Sequence, residues 1–185
     1  MKIEKINKLT NCRFLNLYKL ELKNKENKKK EYFLASRRNE ENLACKTKNH
    51  NFCDGVMIIP ITTKGELVLI KQFRPAINDY IYEFPAGLVD KNESIEEAAR
   101  RELFEETGLK CIKFEKILAP CYTSVGMSDE TVAVVKMIVE GIPTNENIEE
   151  NEEIEIITIK IEESKEFIKK HNMSIKTALV ISFIF

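Results

Sequence analysis

Nine residues near the middle of the chain, RRELFEETG (Arg100 to Gly108), gather three carboxylates where local structure does not favour them. Glu102, Glu105 and Glu106 stand three and four apart, a spacing that puts them on one helical face within about one turn. Gly108 reads as the helix stop. The acids therefore crowd the last turn, where the helix dipole is already negative and Lys or Arg is expected. Each misplaced charge costs roughly 0.3–1 kcal/mol, and a like-charged i,i+4 pair adds roughly 0.2–0.5 kcal/mol. A hard divalent cation removes the conflict. Mg²⁺ takes oxygen ligands, typically one or two carboxylates with waters and substrate phosphates, and positive charge is favoured at a helix C-terminus. A solvated acidic helix end paired to Arg100 and Arg101 would use the same residues, and the helix by itself leaves both readings open.

The helix has clear local signals. Ser94 with Glu97 three residues on makes a capping box, and Ile95, Ala98, Ala99 and Leu103 supply a narrow apolar stripe, so a helix is predicted over Ile95 to Thr107. Upstream, GVMIIPIT (Gly55 to Thr62) and ELVLIKQFR (Glu66 to Arg74) are apolar strands joined by a turn at Lys64-Gly65. IYEFPAGLV follows as a strand broken by Pro85 and Gly87. Downstream, IKFEKILAP, TVAVVKMIV and IEIITIKI read as strands, and Glu163 to His171 and Ser174 to Ile184 as closing helices. The polar segment Thr144 to Glu153 reads as a solvated acidic loop. At the other end, FLNLYKLEL and EYFLAS flank the Lys/Asn-rich KNKENKKKE as a hairpin with a solvated tip. Residues 1–45 are thus expected to form a small β unit, and 46–185 an α/β domain with a mixed sheet covered by helices.

With 185 residues, 43% hydrophobic, the chain has enough apolar material for a real core. Charged residues make up 32% but nearly cancel to −1, which argues against nucleic acid or an anionic membrane as the main partner. The cysteines (Cys12, Cys45, Cys53, Cys111, Cys121) are odd in number, show no C-x-x-C spacing, and have only His50 and His171 to complete a zinc site. Buried free thiols in a reducing cytoplasm fit that pattern. MKIEKINKL lacks an apolar signal core, and IKTALVISFIF is too short to span a bilayer. A soluble, cytoplasmic protein is expected.

Taken together, GLVDKNESIEEAARRELFEETGL (Gly87 to Leu109) fits G-x5-E-x7-R-E-U-x-E-E-x-G-U, with U aliphatic, at all nine fixed positions. This resembles the Nudix box, the signature of hydrolases that cleave nucleoside diphosphates linked to another group. The resemblance implies a Nudix-type α/β/α sandwich in which Glu102 and Glu106 are the principal ligands of Mg²⁺ or Mn²⁺. It further implies Glu105 as a third ligand or supporting group and the carbonyl of Ala86 as another ligand. Glu93 and Arg101, with Gly87, are implied to be structural, the ion pair fixing the loop on the helix.

The flanks are similar to the ADP-ribose and nucleotide-sugar pyrophosphatase branch. KQFRPA (Lys71 to Ala76) and YEFPAGLVD (Tyr82 to Asp90) match its Q-[YF]-R and E-[FL]-P-A-G-L segments. That resemblance implies substrate contacts from Arg74, Glu83 and Arg37, and from a Gly126 loop that leads to Glu130 as base or metal ligand. It also implies a homodimer formed through the first 45 residues. Arg74 closing a strand, Glu83 pairing with it, and Glu130 as a surface acid are the plain structural alternatives. Two departures bear on substrate: Val125 stands before Gly126 where the branch commonly has Pro, and no Trp is available to stack on adenine. The resemblance still implies ADP-ribose as substrate, and these departures leave GDP-mannose or another nucleotide sugar as the alternative. A non-catalytic nucleotide-sensing module is the competing class, disfavoured because every acid of the box is retained.

Overall fold

The computed structural model describes residues 1–148 and 153–184. The chain divides into two compact units, Met1–Asp54 with Pro120–Val132, and Gly55–Ala119 with Ala133–Phe185.

The first unit holds a three-stranded antiparallel sheet in the order β1-β2-β3: β1 (Lys2–Lys8), β2 (Asn16–Lys23) and β3 (Lys29–Ser36). The expected hairpin is β2–β3, with Asn16 opposite Ser36 and Lys23 opposite Lys29. Alternation does not announce β1. Ile3 and Ile6 both pack against the Tyr18, Leu20, Leu34 and Leu43 cluster, although they are three residues apart. A register shift between Ile3 and Lys5 makes this possible: an extra residue brings both side chains to one face and hides the period of two. A single 3₁₀ turn (Glu40–Asn42) and the one-turn helix α1 (Ala44–Thr47) follow.

The second unit is built on β4 (Gly55–Thr62), β5 (Glu66–Arg74), β6 (Asp79–Glu83), β7 (Ala86–Leu88), β8 (Lys110–Tyr122), β9 (Thr131–Glu140) and β10 (Ile154–Lys160). The sheet order is β10-β5-β4-β9-β8, with β6 on β5 and β7 on β4. The ends of β8 and β9 that flank residues 123–130 belong to the first unit. Helices α2 (Ile95–Thr107), α3 (Ile161–Lys170) and α4 (Ile175–Ile184) complete the expected α/β class. Gly55–Pro60 and Leu67–Ile70 are buried without interruption, as strands covered on both faces must be. Val56, Ile58 and Val68 pack with Ala98, Ala99 and Leu103 of α2 and with Val135 and Met137 of β9. Full burial of a side chain such as Leu103 contributes about 1.5–3 kcal/mol.

The IYEFPAGLV segment is broken at Pro85 as expected but not at Gly87, which lies inside the second of two strands. β6 pairs with β5 (Glu83 opposite Ile70) and β7 with β4 (Ala86 opposite Met57). Pro85 between them has no N–H for a ladder, and its carbonyl accepts from the Ile58 N–H at 2.8 Å. None of the five cysteines is in a disulfide, as expected, but none is buried: Cys12 and Cys121 are exposed and the others half-buried. Cys12 lies in the β1–β2 connection and Cys121 near the end of edge strand β8, neither of which is covered on both faces. Part of the acidic segment Thr144 to Glu153, residues 149–152, lies outside the described residues. No helix among the described residues is long and apolar enough to cross a membrane.

Candidate active site

The acidic turn is set by the two ends of α2. At its start the Ser94 hydroxyl accepts from the Glu97 N–H while the Glu97 carboxylate accepts from the Ser94 N–H, at 3.2 and 2.8 Å. At its end Gly108 adopts φ 71°, and its N–H returns to the Phe104 carbonyl. The buried stripe fixes the rotation of the helix, which turns Glu102 and Glu106 toward β7. Glu106 is only 4% exposed, and its Oε2 accepts from the Ala86 N–H at 3.0 Å. At the next residue, a β-carbon on Gly87 would lie 1.9 Å from Cδ of Glu102 and 2.0 and 2.2 Å from its carboxylate oxygens. Thus β7 offers an N–H to one glutamate and a bare Cα to another.

Arg101 completes this cluster with all five of its N–H bonds. Its Nε and Nη2 reach the two oxygens of Glu93 at 2.9 and 3.0 Å, and Nη2 also reaches the Leu88 carbonyl at 2.9 Å. Its Nη1 donates to Glu102 at 2.8 Å and Glu105 at 3.0 Å. Hydrogen bonds from Arg101 hold the Glu93 carboxyl below the usual carboxylate range. The same bonds, Glu93 first, raise the Arg101 pKa and keep the guanidinium charged. Arg100, the other arginine available to the cluster, turns away to Glu96 (2.8 and 3.0 Å) and the Cys111 carbonyl. Of the two arginines, only Arg101 meets the helix-end acids. Among the described residues, no group of three His, Cys, Asp or Glu side chains converges as a ready-made metal cage. On β5 and β6, Arg74 Nε donates to Glu83 Oε2 at 2.6 Å, so these two side chains meet as an ion pair.

Arg37, Gly126 and Glu130 belong to the first unit and come together there. Glu130 accepts from the Thr123 hydroxyl at 3.0 Å, and Arg37 Nε lies 3.5 Å from its other oxygen. The loop before it runs along the free edge of β3. The Ala35 N–H donates to the Met127 carbonyl at 2.9 Å, and the Tyr32 hydroxyl donates to the Gly126 carbonyl.

Next to Glu130 lies a cluster that sequence reasoning did not single out. Arg38, with 3% side-chain exposure, donates from Nε and Nη2 to the two oxygens of Asp54 at 3.1 and 2.6 Å. It stacks over Phe52 with 4.4 Å to the ring centroid. Asp54 Oδ2 also accepts from the Thr131 N–H at 2.8 Å. No local pattern marks these residues: Arg38 sits beside an exposed arginine, and its partners lie 16 and 93 positions away. Arg37 and Arg38 lie just past the end of β3, so no strand period assigns either of them to the interior.

The match of residues 51–177 to the NUDIX domain model gives this geometry a family. The ADP-ribose pyrophosphatase of Bacillus subtilis (strain 168) is 34% identical over 133 residues, covering 70% of each chain. The methanol dehydrogenase activator of Bacillus methanolicus is 30% identical over 133 residues, again 70% of each. A solved structure titled as that of an ADP compounds hydrolase superposes with a TM-score of 0.72 at 20% identity, covering 91% of this chain and 82% of that one. The chain belongs to the Nudix family of hydrolases.

Proposed function

We propose that this protein hydrolyses ADP-ribose or a related nucleoside diphosphate sugar to a nucleoside monophosphate and a sugar phosphate, with Mg²⁺ (or Mn²⁺) as cofactor. The observation that carries the reading is the meeting of the box's two halves. The Ala86 N–H takes the buried Glu106 carboxylate, and Gly87 leaves room for that of Glu102. Relatives named ADP-ribose pyrophosphatase and ADP-sugar pyrophosphatase support the substrate class.

The donor set suits a hard cation, being carboxylate and carbonyl oxygen without thiol or imidazole. Glu102 and Glu106 would hold it, joined by Glu105 and the Ala86 carbonyl. Once bound, such an ion neutralises the diphosphate and lowers the pKa of the attacking water. The protein's own part is positioning. Glu106 is fixed by β7 and Glu102 by the open face of Gly87, while Arg101 supplies countercharge to the acids. Arg74 is suited to the diphosphate through its remaining N–H bonds, and Glu83 orients it. Glu130 accepts a proton from water as the water oxygen bonds to phosphorus and the bridging P–O bond breaks. For assembly the reading is a cytoplasmic homodimer formed through the first 45 residues, supported by the exposed Phe14, Leu17 and Phe33.

A panel of nucleoside diphosphate sugars with Mg²⁺ in ¹⁸O-labelled water, read by product mass, tests the activity. Failure of every member of the panel to yield a pair of phosphate monoesters, one of them carrying the solvent ¹⁸O, would end this reading. Light scattering on the same sample reads the assembly.

Gly87→Ala tests the metal arrangement separately. The new methyl group displaces the flexible end of Glu102 rather than backbone, so the helix stays and a ligand moves. Mn²⁺ affinity by calorimetry should weaken roughly 10–100-fold with the circular dichroism spectrum unchanged. An unaltered affinity would remove Glu102 from the ligand set.

A further inference from the structure

Glu130 stands between two residues far more buried than itself. Its side chain is 33% exposed, whereas Asp129 and Thr131 are 6% and 1% exposed. Each neighbour is tied to the same buried charge. Thr131 gives its N–H to Asp54 Oδ2 at 2.8 Å, and its carbonyl accepts from the Asp54 N–H at 3.1 Å. Its hydroxyl lies 3.0 Å from Asp54 Oδ2 and 2.5 Å from the Phe52 carbonyl, and accepts from Arg38 Nη2 at 3.3 Å. Asp129 Oδ2 accepts from the Ala44 N–H at 3.0 Å and faces Arg38 Nη1 at 4.0 Å. The backbone of Glu130 is used at both ends: its N–H goes to the Ser128 hydroxyl at 3.1 Å, and its carbonyl accepts from the Thr123 N–H at 3.1 Å.

A strand-entry residue needs no buried guanidinium to hold its place, and an ion pair with 3% and 7% side-chain exposure is expensive to desolvate. What the pair achieves is rigidity on both sides of one half-exposed carboxylate. We infer that Arg38, Asp54 and Thr131 form a positioning device for Glu130, fixing the direction in which that carboxylate meets the substrate water. The inference rests on the reading of Glu130 as the group that accepts the water proton. Arg38, Asp54 and Thr131 act through it and touch no substrate themselves.

The test is a double-mutant cycle in saturation kinetics, using Mg²⁺ and the nucleotide sugar hydrolysed fastest in the panel above. Thr131→Val keeps the branched shape and the N–H but removes the hydroxyl. It should lower kcat about tenfold, the scale of a small misplacement, and leave KM within about twofold. Thr131→Ser, which retains the hydroxyl, should restore most of the rate. In a Glu130→Gln background Thr131→Val should have no further effect on kcat, because nothing remains to be positioned. Arg38→Lys, which keeps a buried positive charge beside Asp54 but not the two-pronged fork, is taken through the same cycle and reads the same coupling should Thr131→Val fail to fold. Equal loss in both backgrounds, a change confined to KM, or a wild-type rate for Thr131→Val would overturn the positioning device alone. A wild-type rate for Glu130→Gln would overturn the proton-acceptor reading and the inference with it.

Discussion

Glu106→Gln should cut turnover roughly 10²–10³-fold while leaving the fold intact. The amide preserves the shape of a side chain that is 4% exposed, and its oxygen can still accept from the Ala86 N–H. It lacks the charge that makes a carboxylate a good ligand for a hard cation. Removing one of several crowded negative charges should leave the metal-free protein as stable as the wild type, or more so. The wild type should gain about 2.7 kcal/mol from a metal present at a hundredfold over its Kd, and the variant should lose most of that gain. Thermal unfolding with and without Mg²⁺ therefore separates the ligand role from a packing role. A variant with more than half the wild-type rate would defeat the assignment of Glu106.

The second large effect concerns stability. Breaking the Arg38–Asp54 pair from either side should cost about 3–5 kcal/mol, because the remaining charge stays buried. For a chain of this size that corresponds to roughly 6–20 °C in Tm. The geometry also predicts an order. Arg38→Ala leaves Asp54 with the N–H of Thr131, whereas Asp54→Ala strips Arg38 of its bidentate partner and the Thr131 N–H of its acceptor together. The next carboxylate, that of Asp129, is 4.0 Å from Arg38 Nη1, a nitrogen without a hydrogen-bond partner among the described residues. Asp54→Ala should therefore be the worse of the two by denaturant midpoint. Losses under about 1 kcal/mol for both would show the pair to be as weak as a surface one.

The difference between α2 and this pair explains what the sequence could reveal. The limits of α2 are legible because its start and stop signals are local: Ser94 with Glu97 at one end, Gly108 at the other, and a stripe of period 3.6 between. The paired strands β4 and β5 are legible for the same reason. β1 is obscured by its bulge, and although Pro85 marks the break between β6 and β7, nothing local says that the two pair with different strands. The site shows the same division. The crowding of Glu102, Glu105 and Glu106 is written in their spacing, but the choice of Arg101 over Arg100 depends on where Glu93 and Leu88 lie. Arg38, Asp54 and Thr131 are ordinary polar letters until folding brings them together from distant positions, so only coordinates disclose them.

The first unit is discontinuous in sequence, since residues 120–132 return to complete what residues 1–54 begin. During synthesis the N-terminal sheet emerges before the segment that will lie along β3 and close the salt bridge network. Until then its outer strand presents unpaired amides and carbonyls, an invitation to adhesion between nascent chains. The small sheet must wait for the larger fold to hand back its missing piece, which couples the maturation of one half of the molecule to the progress of the other.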